Sequence, residues 1–381
     1  MKKRIVSLLL AAALLTGAAS AAGEEGAAEQ PDLDLSAASA VLMEKETGAL
    51  LYEKESHQQL EPASVTKVMT LLLIMEDLDS GRLSKEDLVT VSAAAAGMGG
   101  SQVYLKEGEQ LSAGELIKCI AVVSGNDAAV ALAGICGGEV ETFVGWMNQR
   151  AQDLGMTNTH FSDPNGLGDE NHYASALDMA KLGVACLQNP TVAEILSTRT
   201  ITLEGRQLTN HNKLLWQYEG CTGMKTGYTR QAGRTLVSAA EREGMTLIAV
   251  TLDDPDDWRD HAALFDWGFS NWKMETAVRV GEEVCSLPVG GSLVPFCPVR
   301  AGADLRWPLR EGERLELRPD LPLEQLTAPV QEGVRIGTLR GAVGDEAAGE
   351  VPLVCGASVP RDLAEPRRGL LRRLLSWLEE R

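Results

Sequence analysis

Hydrophobic positions along this chain fall into distinct regimes. Residues 68–76, 116–123 and 128–135 are apolar nearly all round. A helix apolar on every side lies inside a protein, so these runs predict a block of buried helices. Residues 143–154 and 175–187 read as further helices of the same block. Ahead of it, 38–44 and 49–53 flank Lys45-Glu46-Thr47-Gly48 and predict a hairpin. Beyond it, 234–240 and 245–252 lie either side of Arg242-Glu243-Gly244 and predict a second hairpin, with 225–229 able to lie beside it as a third strand. Residues 257–269 then return as a helix. Helices inserted between an N-terminal hairpin and C-terminal strands imply an α/β (α+β) arrangement, with one antiparallel sheet covered by helices on both faces.

The pattern changes after Trp272. Short strands at 277–280, 315–317, 334–339 and 351–354, separated by Gly and Pro, predict a small all-β domain over 273–360. The last stretch, 361–381, has helical period. At 100° per residue its Leu and Trp residues share one arc of about 160°, with Arg368, Arg372 and Arg373 on the other side. Basic residues opposite Leu and Trp suit a helix lying in a membrane interface; a helix docked on the protein or on a partner is the other reading.

The N-terminus adds a location. Lys2, Lys3 and Arg4 precede a short apolar run and the site Ala19-Ser20-Ala21, the layout of a secretory signal over 1–21. Residues 22–34, polar and aperiodic, follow as a flexible leader, and 35–272 form the main domain. The chain is thus expected to be exported and held on the outer face of the cytoplasmic membrane. Removing the signal takes the formal charge from −19 to −22. So acidic a body argues against nucleic acid as a partner.

Cysteine and histidine narrow the chemistry. There is no C-x-x-C pair, and the five His are scattered without metal-ligand spacing, so no metal site is predicted. Seven Cys is an odd count, which leaves at least one thiol without an intramolecular partner. Cys119, Cys136 and Cys186 sit in apolar runs and read as buried thiols. Cys285 and Cys297 flank a turn at Gly290-Gly291 and are the candidate disulfide.

Three polar groups interrupt the apolar pattern. Ser64 and Lys67 are three apart at the mouth of the 68–76 helix and share a face. A buried lysine of lowered pKa can take the serine's proton; alone, the pair also fits a serine helix cap. Ser124-Gly125-Asn126 breaks two hydrophobic helices, where polar groups need partners if buried. Lys225-Thr226-Gly227 begins the candidate third strand. Acyl transfer needs a nucleophile, a base, an acid for the leaving amine and donors for the oxyanion, and the three groups together supply them.

S-x-x-K, S-x-N and K-T-G in this order are the signature of penicillin-binding proteins and class A β-lactamases. The chain resembles the low-molecular-weight penicillin-binding proteins, serine-type D-alanyl-D-alanine carboxypeptidases of the peptidase S11 family. The likeness extends over Glu61 to Thr70, Gly99-Gly100-Ser101-Gln102-Val103, Asn165-Gly166-Leu167, the stretch from His172 to Ala180, and Gly223 to Thr229. It implies a penicillin-binding/β-lactamase-like transpeptidase fold with a helical subdomain. It implies Ser64 as nucleophile on the bond between the two terminal D-alanines of a peptidoglycan stem peptide, with Lys67 as general base and Ser124 as proton relay. Asn126 would hold the substrate amide, and Lys225 and Thr226 its carboxylate. Gly227 would leave room for the substrate strand, and the backbone N–H groups of Ser64 and Tyr228 would form the oxyanion hole. β-Lactams would trap Ser64 as an acyl-enzyme, and no cofactor is required.

One departure from the family lies at Asn210-His211-Asn212, where some relatives place an arginine near the substrate carboxylate. His211 would serve there only when protonated; a loop histidine without a role is the alternative. A β-lactamase would need a carboxylate placed for deacylation, which the sequence does not supply at the usual spacing. A D,D-endopeptidase would use the same residues, and an inactive wall-binding scaffold would have no need of the intact motifs.

Overall fold

The computed structural model describes residues 32–203 and 205–362, together with Trp377. The export signal, the leader up to residue 31 and the amphipathic tail apart from 361, 362 and Trp377 lie outside the described residues. The centre is a five-stranded sheet in the order Leu50–Lys54, Ser39–Glu44, Met245–Leu252, Gly233–Arg242 and Cys221–Thr229. Every neighbouring pair in it is antiparallel. Both expected hairpins are present, and the K-T-G segment is an edge strand.

Period-two alternation decides which helices cover which face. Val41, Met43, Val237, Ala239, Ile248 and Val250 join a large core with the buried helix Lys67–Asp79 and the helices Ala113–Val123, Asn126–Gly137 and Ala176–Gln188. Their neighbours Ala40, Leu42, Leu236, Ala240, Leu247 and Ala249 pack instead with Leu264 and Phe265 of the helix Asp257–Asn271. Each fully buried large apolar side chain contributes roughly 1.5–3 kcal/mol. The helix on this second face lies close: a Cβ on Gly268 would come 2.5 Å from Leu247 Cδ1 and 2.7 Å from Leu42 Cδ2.

Local signals in the helical block hold where their physics is local. Ser112 and Glu115 form the reciprocal capping box that starts Ala113–Val123. Ser175 caps Ala176–Gln188 by accepting from the Asp178 N–H. Between residues 97 and 109 the chain is irregular, and the short strands Leu88–Thr90 and Gln110–Ser112 pair across it. The helix Pro190–Leu196 and the hairpin Thr200–Leu203 with Arg206–Thr209 were not legible in the pattern, being short and mostly half-exposed.

The helix Asp257–Asn271 runs straight into the strand Trp272–Val278, which pairs with Leu305–Arg310. Beyond it a six-stranded sheet encloses a separate core that includes Val299, Leu339 and Leu353. Arg306 reaches back to Glu46 at 2.5 Å and ties the β region to the first hairpin. The expected Cys285–Cys297 disulfide is absent, and none of the seven cysteines is joined in a disulfide. Register is the reason, since Cys285 pairs with Val299 and Cys297 with Leu287, so the two thiols do not oppose each other.

Candidate active site

The chain enters the buried helix through a 3₁₀ turn, Ala63–Thr66, and Ser64 sits in that turn. It caps nothing: Pro62 holds the cap position, with no side-chain cap bond. The helix-cap reading of the pair is therefore excluded. Lys67 is wholly buried, and its Nζ donates to Ser64 Oγ at 2.9 Å and to the Asn165 carbonyl at 2.6 Å. Burial holds the Lys67 ammonium well below its ordinary pKa, and the charge on Lys225 lowers it further, against smaller raising effects of Asp163 and Asp127. A neutral Lys67 at 2.9 Å from the hydroxyl has a lone pair for the serine proton.

In the sequence Asn165 stands out only as part of the Asn165-Gly166-Leu167 stretch that carries the family likeness, with no role of its own. In the fold its carbonyl is the third corner of the site, 3.5 Å from Ser64 Oγ. The loop is pinned from two sides. Asp163 accepts from the N–H groups of Asn165 and Gly166 at 2.8 and 2.6 Å. Thr70, one turn along the Lys67 helix, donates to the Pro164 carbonyl at 2.6 Å. Gly166 has φ +84°, and a Cβ there would lie 1.9 Å from the Ala63 carbonyl oxygen, so only glycine fits. Asp-Pro-Asn-Gly marks a turn in the sequence; nothing local says that the turn lies on the buried Lys67.

Ser124 ends the helix Ala113–Val123 in the left-handed conformation, φ 60°. That twist lets the next helix start at Asn126. Asn126 Nδ2 donates to the Gly99 carbonyl at 2.7 Å, and its own N–H donates to the Ser101 carbonyl at 2.8 Å. Ser124 Oγ and Asn126 Oδ1 are buried and lack a hydrogen-bond partner among the described residues. Leaving such groups unpaired costs roughly 1–3 kcal/mol each, an expense that a bound polar ligand would remove. Lys67 Nζ thus bonds Ser64 and Asn165 but not Ser124.

The edge strand Cys221–Thr229 closes the site. A Cβ on Gly227 would lie 2.3 Å from Thr235 Oγ1 and 2.9 Å from the Ser64 nitrogen, so closely does this strand approach Ser64. Thr235 Oγ1 in turn donates to the Pro62 carbonyl at 2.9 Å and clamps the turn before Ser64 to the sheet. Lys225 is buried, donates to the Thr226 carbonyl at 2.7 Å, and has its pKa lowered to about 7 by burial. Tyr228 follows, its side chain exposed.

The loop bearing His211 is tied to the same strand, because Asn212 Nδ2 donates to the Gly223 carbonyl at 3.0 Å. Burial, then the charges of Lys225 and Lys67, lower the His211 pKa below 6.5. Among the described residues no group of three or more His, Cys, Asp or Glu side chains is placed to hold a metal ion.

Set against known proteins, residues 24–256 match the peptidase S11 family model, described as D-alanyl-D-alanine carboxypeptidase. The chain belongs to the peptidase S11 family. Residues 272–361 match a second model, the C-terminal domain of penicillin-binding protein 5. The chain is 36% identical over 349 residues to the D-alanyl-D-alanine carboxypeptidase DacF of Bacillus subtilis, covering 89% of this chain and 90% of the relative. It is 32% identical over 343 residues to DacA of Escherichia coli, covering 87% and 85%. Penicillin-binding protein 5 from Haemophilus influenzae superposes with a TM-score of 0.76 at 32% identity, over 86% of this chain and 98% of that structure. This S11 protein is therefore a serine-type D-Ala-D-Ala carboxypeptidase of the penicillin-binding class, acting in peptidoglycan remodelling and acylated by β-lactams.

Proposed function

We propose that Ser64 is the nucleophile of this carboxypeptidase, with Lys67 as its base and Ser124 as the relay to the leaving group. The observation that carries the reading is the 2.9 Å contact between Lys67 Nζ and Ser64 Oγ, made by a lysine whose burial disfavours its charge. The stem peptide adds along the free edge of Cys221–Thr229, as an extended peptide adds to a sheet. Its terminal carboxylate meets Lys225 and Thr226, and its amide N–H meets the unpaired Asn126 Oδ1. Gly227 keeps the approach clear. Ser64 Oγ passes its proton to Lys67 and bonds to the carbonyl carbon of the penultimate D-alanine. The resulting oxyanion lies between the N–H groups of Ser64 and Tyr228. The proton passes through Ser124 to the departing amine, the C–N bond breaks, and free D-alanine leaves. Water then attacks the ester carbonyl and gives a proton to Lys67; the bond to Ser64 Oγ breaks, Lys67 returns the proton to that oxygen, and the shortened peptide leaves as a carboxylate.

The remaining assignments have their own support. His211 adds a cation near the carboxylate site only in acid, because burial and then the charges of Lys225 and Lys67 oppose its protonation. We take 35–272 as the catalytic domain and 273–360 as the β domain. The signal at 1–21 and the tail at 361–381 support an exported enzyme held peripherally on the outer face of the cytoplasmic membrane. D-Alanine release from a stem pentapeptide, by wild type and by Ser64→Ala, tests the central claim. Equal release by both would overturn it. A burst of β-lactam acylation followed by slow release distinguishes this enzyme from a β-lactamase, which would turn the drug over rapidly.

A further inference from the structure

At one end of the β domain, the turn between strands Glu283–Gly290 and Phe296–Ala301 displays apolar side chains to solvent. Leu293 is 73% exposed, Phe296 57% and Val294 42%. Paired strands support the turn, with Pro288 opposite Phe296 and the Val289 N–H donating to the Pro295 carbonyl at 2.8 Å. No charged residue occurs between Glu283 and Arg300, in a chain that is 23% charged. The turn opens on Gly290-Gly291-Ser292, as turns in water do, but the three large apolar side chains that follow stand in solvent, a cluster that suits an apolar neighbour.

The course of the chain says which. After Cys355 it runs back beside Phe296–Ala301, with the Gly356 N–H donating to the Pro298 carbonyl at 2.7 Å. It ends its described course where the Asp362 N–H donates to the Gly291 carbonyl at 2.7 Å, at the hairpin turn itself. The sequence that follows is the one with Leu and Trp opposite Arg368, Arg372 and Arg373. The apolar hairpin tip thus lies beside Asp362, the point in the chain after which the basic amphipathic sequence follows, on an otherwise acidic molecule. We propose that the Leu293–Val294–Phe296 tip enters the interface of an anionic lipid bilayer, as a second contact beside the tail. The inference rests on the membrane reading of that tail. Two contacts hold more firmly than one and fix which end of the β domain faces the lipid.

Co-sedimentation of the processed chain (22–381) with phosphatidylethanolamine–phosphatidylglycerol vesicles tests it. Leu293→Ser/Phe296→Ser is expected to lower partitioning about tenfold, while Tm and D-alanine release in solution stay at wild-type values. Leu293→Ser alone, at the most exposed position, should lower it by a smaller factor without touching the core. A tail variant, Leu371→Asp/Leu375→Asp, separates the two readings. Loss in the tail variant only overturns the hairpin contact and leaves the tail anchor standing. Loss in the hairpin variants only supports the hairpin and removes the tail. Wild-type partitioning by all variants overturns both.

Discussion

Lys67 Nζ and the Asn165 carbonyl oxygen are 2.6 Å apart, although 98 positions separate them along the chain. This carbonyl fixes the direction of the lysine, and through it the approach of the amine to Ser64. A backbone oxygen cannot be deleted by substitution, but the loop that carries it can be moved. Gly166→Ala places a Cβ 1.9 Å from the Ala63 carbonyl oxygen at φ +84°. We expect kcat/KM for D-alanine release to fall on the order of 100-fold, the usual scale for a shift of about 1 Å at a reacting group. Tm should fall with it. Wild-type kinetics in this variant would remove the loop from the mechanism.

The two lysines make opposite demands on pH. As the proposed base, Lys67 would act neutral, so kcat/KM should rise with pH through its lowered pKa. As the proposed carboxylate anchor, Lys225 would act charged, so kcat/KM should fall again as pH passes about 7. In kcat that alkaline limb should move upward, because a bound carboxylate favours the ammonium form. Lys225→Gln removes a charge that lowers the Lys67 pKa, so the acid limb should shift to higher pH. An acid limb that stays put in this variant would break the link between the lysines.

Lys225 also bears on stability. Its folded pKa of about 7 lies below the ordinary 10.5, so below pH 7 folding must bury an ammonium that the unfolded chain keeps in water. The penalty is full there and fades as pH rises from 7 to 10.5. Lys225→Met should therefore raise Tm at pH 6, by roughly 2–4 °C for each kcal/mol relieved, and the gain should shrink at pH 10. Equal gains at both pH values would mean that packing, not charge, is responsible.

Gly227→Ala would push a methyl group toward Thr235 Oγ1 and the Ser64 nitrogen. In the proposed mechanism both the substrate strand and the oxyanion donor use that space. Acylation by a fluorescent penicillin should slow by roughly 100-fold or more, the scale of losing one oxyanion donor, with a modest drop in Tm. Labelling at the wild-type rate would show that the strand has room to spare.

His211 is the least constrained member of the site. Its pKa lies below 6.5, so any help to substrate binding should vanish above that value. His211→Ala should raise KM several-fold at pH 5 and leave it unchanged at pH 8. An unchanged pH–rate profile would leave Lys225 and Thr226 sufficient for the carboxylate.

Much of this architecture depends on rules that act over a few residues. Period-two alternation in 234–240 and 245–252, the Ser112–Glu115 capping box and the all-apolar run at 68–76 placed strands and helices within a residue or several of their observed ends. The contact between Ser64 and Lys67 was legible for a similar reason: residues three apart on a helical turn share a face. The sequence by itself also determined the acidic charge and the grouping of S-x-x-K, S-G-N and K-T-G. It did not determine how those groups meet. The Asn165 carbonyl on Lys67, the left-handed Ser124, the Gly227 approach to Ser64 and the register that parts Cys285 from Cys297 arise only in the fold. Each is a contact between segments distant in the chain or a backbone twist imposed by such contacts, and neither leaves a periodic trace in the sequence.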